Sequence, residues 1–104
     1  MTANVRRDYG DALVDHGRAA DAELMLRWAI EVQVVRWGEA DYRVDAARIS
    51  HGRALTRLGR ADEAEGLLRP VFDRLAAGRG PDDHFTRRAR EAFDELERSE
   101  RGGR

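Results

Sequence analysis

Apolar residues recur at helical spacing along nearly the whole chain, and no stretch alternates with the two-residue period of a strand. Val5, Tyr9, Ala12, Leu13 and His16 predict the core face of a first helix that breaks at Gly17-Arg18. Ala22, Met25, Leu26, Ala29 and Ile30 form an i, i+3, i+4, i+7, i+8 stripe, which predicts a second helix ending at a left-handed Gly38 cap. Asp41 is placed to cap a third helix by accepting a bond from a free backbone N–H. Along that helix run Val44, Ala47, Ile49, His51, Ala54, Leu55 and Leu58, as far as Gly59. Ala64, Leu67, Leu68, Val71, Phe72 and Leu75 predict a fourth, with Asp82 or Asp83 capping a fifth that carries Phe85, Ala89, Ala92, Phe93 and Leu96. Residues 100–104 read as a frayed tail.

The pattern repeats itself. Residues 6–41 laid over 48–83 are identical at 13 of 36 positions without a gap, a period of 42. Gly10 falls on Gly52, Ala12-Leu13 on Ala54-Leu55, and Gly17-Arg18-Ala19 on Gly59-Arg60-Ala61. Ala22-Glu23 falls on Ala64-Glu65 and Leu26-Arg27 on Leu68-Arg69. A repeat of this length marks supersecondary units that share one continuous core. Short turns within each unit predict antiparallel helix pairs.

The slots Arg6, Tyr9-Gly10, Leu13 and Ala22-x3-Leu26, repeated as Arg48, His51-Gly52, Leu55 and Ala64-x3-Leu68, resemble the tetratricopeptide signature. The 42-residue period resembles the long variant found in kinesin light chains and bacterial signalling proteins, with the extra length after the second helix. HEAT-type repeats have similar periods, but the tight Gly-Arg turn and the Ala-Glu pair following it match the tetratricopeptide pattern. The resemblance covers residues 5–99. It departs from the family where Arg replaces the bulky aromatic of the first helix and where Glu97 takes the Leu13/Leu55 slot.

The expected fold is therefore an all-α, tetratricopeptide-like solenoid of five antiparallel helices, about two and a half repeats in one domain over 1–104. Repeat one covers about 4–38, repeat two about 42–78, and a capping helix about 83–99.

Charge and composition narrow the chemistry. Lys+Arg number 19, all of them Arg, against 20 acidic residues, a net charge of −1. Such balance argues against a general nucleic-acid or membrane-surface binder. There is no Cys, which excludes disulfides and thiolate sites. The three His residues share no metal-ligand spacing, acidic residues are scattered, and no phosphate loop follows a strand, so no catalytic residue, metal or cofactor is expected. No apolar signal region or membrane span is present, which makes a cytoplasmic chain the expectation.

The resemblance implies a non-catalytic interaction module that binds a peptide or helix of another protein along its first helices. On that face lie Arg7, Asp11 and Asp15, then Ile49, Ser50, Arg53 and Arg57, then Glu91, Glu95 and Arg98. Arg53 and Arg57, one turn apart, could grip a carboxylate as paired forks, or simply be solvated cations near a helix C-terminus. A second apolar stripe, Leu24, Trp28, Val32 and Val35, reads as a self-association patch for a homodimer or as a surface covered by neighbouring chain. The alternative function is a structural or regulatory terminal cap of a larger signalling protein, packed on an attached domain.

Overall fold

The computed structural model describes residues 10–102. Among these residues the chain is all-helical, without a strand. Helix α1 covers residues 10–15, α2 Ala19–Trp37, α3 Tyr42–Arg57, α4 Ala61–Arg79 and α5 His84–Gly102. Residues Val5, Arg7 and Tyr9, assigned from sequence to the first helix, lie outside the described residues. The last helix runs on to Gly102, past the end that composition suggests at Ser99, and residues 103–104 of the expected tail lie outside the described residues.

Glycines at positive φ punctuate these helices every 21 residues: Gly17, Gly38, Gly59 and Gly80. They form two alternating kinds of break. After α1 the Arg18 N–H donates to the Leu13 carbonyl (2.7 Å) and the Gly17 N–H to that of Val14 (3.1 Å). After α3 the Arg60 N–H donates to Leu55 (2.9 Å) and the Gly59 N–H to Thr56 (3.1 Å). Both are Schellman closures, which need a glycine because the left-handed backbone crowds a Cβ.

The other two breaks differ from the left-handed cap expected at Gly38. Gly38 has φ 92 and ψ 162, and Gly80 φ 88 and ψ 162, an extended positive-φ region open essentially to glycine alone. The chain leaves the helix outright there and restarts at an aspartate. Asp41 accepts from the Arg43 N–H (2.8 Å) and Asp83 from the Phe85 N–H (2.9 Å). Bonds from Arg43 hold the Asp41 carboxyl down to about 2.

Helix α3 is the centre of the molecule. It packs against α2, α4 and α5, and its Ala54 joins Leu13 and Val14 of α1 in one cluster with Leu26. A helix with neighbours on so many sides buries more than one stripe; even Asp45, Ser50 and Thr56 are buried. Ile49 leads a second cluster with Leu68, Val71, Leu75, Ala89 and Ala92, onto which Phe72, Phe85 and Phe93 pack. The same crowding corrects the expected face of α1. Ala12 and His16 are exposed, while Val14 is fully buried between α1 and α3.

Two close approaches set the spacing. A Cβ built on Gly10 would stand 2.8 Å from Cγ of Leu26, and one on Gly52 2.6 Å from Cγ of Leu68. Both leucines are wholly buried. The corresponding residue of α5 is Asp94, which is exposed, with Glu97 exposed in the Leu13/Leu55 slot. That side of α5 cannot receive a leucine as α1 and α3 do.

Replacing buried Ala64, which packs with Leu55 and Leu96, by Leu is expected to destabilise the fold by about 1–3 kcal/mol through overpacking. Gly66→Ala, where an added Cβ meets nothing within 4 Å, is expected to stabilise by about 0.5–1 kcal/mol. Urea midpoints check both; shifts of the same sign would contradict the packing described.

Candidate functional site

Helices α1, α3 and α5 border a cleft of about 470 Å³. Ile49 and Ala92 give it apolar lining, and Asp15, Arg53, Arg88, Glu91, Glu95 and Arg98 give it charge. Arg53, one-fifth exposed, is the hub. Its Nη2 donates to Asp15 Oδ1 at 2.6 Å, its Nη1 lies 3.5 Å from Asp11 Oδ1, and its Nε lies 3.5 Å from Glu95 Oε2. Arg57 donates through Nε to Glu95 and through Nη1 to the Val14 carbonyl (3.2 Å). Arg88 reaches back from α5 to Asp11 (3.4 Å). The hydrogen bond from Arg53 holds the Asp15 carboxyl below its ordinary value.

The structure thus gathers Asp11, Asp15, Arg53, Arg57 and Glu95, residues distant in sequence, on one wall. Six of its eight charged groups pair with one another or with backbone. Glu91 and Arg98 are exposed and make no ion pair among the described residues. Ser50 does not share this surface. It is wholly buried, its Oγ donating to the Ala46 carbonyl at 3.4 Å, because α3 has neighbours on that side too. Arg7 lies outside the described residues. On α2, Leu24 and Val35 are 62 % and 89 % exposed while Trp28 and Val32 are half-buried. The two exposed residues stand about 16 Å apart along the axis, with Trp28 and Val32 between them.

Two buried carboxylates escaped the sequence reading. Glu23 of α2, 4 % exposed, takes a bond from Arg27 (2.5 Å), faces His51 of α3 (3.5 Å) and lies 3.6 Å from Arg60. Burial pushes its carboxyl up, but the bonds from Arg27 and His51 outweigh this and hold it below the ordinary value. Asp45 of α3, 1 % exposed, is clasped by Arg74 of α4 at 2.5 and 2.9 Å and by Arg48 at 3.1 Å. The available signal was an arginine four residues after Glu23 and three after Asp45, a spacing shared by ordinary surface pairs.

No group of three or more His, Asp or Glu side chains among the described residues could hold a metal. No helix there is long and apolar enough to cross a membrane. No family model, no curated protein and no solved structure matches the chain.

Arg53 balances three carboxylates, so Arg53→Met is expected to cost about 1–3 kcal/mol, less as added salt screens the repulsion left behind. Denaturation at low and high salt measures this; a salt-independent loss would contradict the hub role.

Burial holds His51 below its ordinary 6.5, against the opposing pull of Glu23. The unfolded chain therefore takes up a proton before the folded one does. Stability is complete above about pH 6.5 and is lost as pH falls through the folded value. His51→Phe, which puts into this slot the residue type that Phe93 supplies in α5, is expected to flatten that loss below about pH 6.5. Melting temperatures across that range test it; parallel curves for the two proteins would contradict it.

Proposed function

We propose that the chain is a non-catalytic protein-interaction module of the tetratricopeptide type, which binds a peptide or helix of another protein in the cleft between α1, α3 and α5. The cleft itself carries this reading: it is bordered by alternate helices of a repeated unit and walled by charge that is already balanced internally. A wall of that kind offers neither a nucleophile nor an unpaired acid–base couple for chemistry. It offers shape, with Glu91 and Arg98 as the two charges open to a partner. On this reading the helices are antiparallel pairs in a short solenoid, and the protein acts as a cytoplasmic scaffold or adaptor.

Arg53 and Arg57 then play a different part from paired forks awaiting a carboxylate. They are engaged with Asp15 and Glu95, so they shape the cleft and leave register to Glu91 and Arg98. These two lie two helical turns apart on α5, about 10 Å, and match a ligand with a basic and an acidic group at similar separation.

A second reading has its own support. Asp94 stands where α1 and α3 carry the glycine that admits a leucine, so α5 would close an array, and the chain would serve as the terminal cap of a larger signalling protein.

Peptides selected from a random display library on the wild-type protein provide the test. The double variant Glu91→Ala/Arg98→Ala removes no internal pair and is expected to keep its helical circular dichroism while binding them about tenfold or more weakly. Unchanged affinity would place the interface outside this cleft. A library that yields no binder would favour the cap.

A further inference from the structure

A second cleft, of about 260 Å³, shares no residue with the first. It lies between α4, α3 and the segment before α3, and its lining includes Ala40, Arg48, Gly66, Pro70, Val71 and Arg74. Gly66 and Pro70 are one turn apart inside α4, and both are poor residues for a helix interior. Packing does not require a glycine at 66. Gly10 and Gly52 admit leucines that would clash with a Cβ, whereas a Cβ on Gly66 meets nothing within 4 Å. Pro70 has no N–H, so the Gly66 carbonyl lacks its helical donor. Two local rules are therefore broken at one place, and at Gly66 packing gives nothing in return, which is the pattern expected where a fold gives up stability for a site.

The internal repeat shows what these positions otherwise hold. In α2 the residues at the same places are Leu24 and Trp28. In α4 those two side chains are replaced by a hydrogen and a proline ring, and both positions line the cleft. Its walls carry Arg48 and Arg74, already neutralised by Glu39 and Asp45. A neutral occupant suits it better than a charged one. The free carbonyl asks for a donor on an otherwise apolar group, and guanidinium-lined walls favour an aromatic face. An indole meets all three conditions. We propose that this cleft is a docking site for a tryptophan side chain presented by a partner protein, with the indole N–H donating to the Gly66 carbonyl.

A backbone-amide NMR titration with N-acetyl-tryptophanamide tests this. Saturable shifts are expected at Ala40, Gly66 and Val71, with N-acetyl-leucinamide about tenfold weaker. Gly66→Leu, which restores the side chain found in α2, is expected to abolish the shifts while leaving the melting temperature equal or higher; Gly66→Ala serves if the larger variant fails to fold, with weakened binding expected. No saturable shift in the wild type, or shifts of equal size in the variant that folds, would overturn the proposal. Equal affinity for the two probes would overturn the indole assignment. Shifts at these amides on raising protein concentration without probe would show a second copy as the occupant and overturn it as well.

Discussion

The approach of a leucine to a bare glycine backbone is the constraint on which the rest of this structure depends. Leu26 lies against Gly10 and Leu68 against Gly52, each where a Cβ would fall within 3 Å of Cγ. The contact draws the two helices of each unit together and lets Leu26 and Leu68 be wholly buried, about 1.5–3 kcal/mol each. It also sets where everything else falls. The helices are paired closely enough for Schellman turns at Gly17 and Gly59 to join them, and α3 is left to meet the following unit with its other faces.

Because α3 is enclosed, its polar groups are met by the protein itself. Asp45 is clasped by Arg74, and His51 and Glu23 face each other across the junction of α2 and α3. Arg53 holds carboxylates from α1 and α5. These pairs join different helices and need matched positions on both, so they fix how neighbouring helices sit as well as adding stability. They also explain why so charged a chain can have so quiet a cleft: most of its charge is matched internally. The same reasoning sets Gly66 apart, since a side chain there would meet nothing within 4 Å.

Much of this was legible in the sequence, for physical reasons that differ from place to place. Helix limits were legible because Gly17, Gly59, Asp41 and Asp83 act locally, through backbone conformation and caps. The faces of α2, α4 and α5 were legible because each follows the 3.6-residue period. The same template found Leu13, Val44, Ala47, Ile49, Ala54 and Leu55 but was incomplete for α1 and α3. A single stripe cannot describe a helix packed on several sides, which is why Val14 was missed, Ala12 and His16 were misplaced, and Ser50 was assigned to an open surface. Arg53 lines the α1–α3–α5 cleft, but its partners come from helices 38 and 42 residues away along the chain. No local pattern could reveal that it was already engaged.

The most direct test of the central constraint is a double-mutant cycle in denaturation between Gly52→Val and Leu68→Ala. If the glycine exists to admit that leucine, the valine is strongly destabilising beside Leu68. It is much less so in the Leu68→Ala background, because the smaller side chain vacates the space the valine needs. The expected coupling is at least about 1 kcal/mol. Additive effects of the two substitutions would show that Gly52 and Leu68 do not depend on each other, and would contradict the account of how these helices are held together.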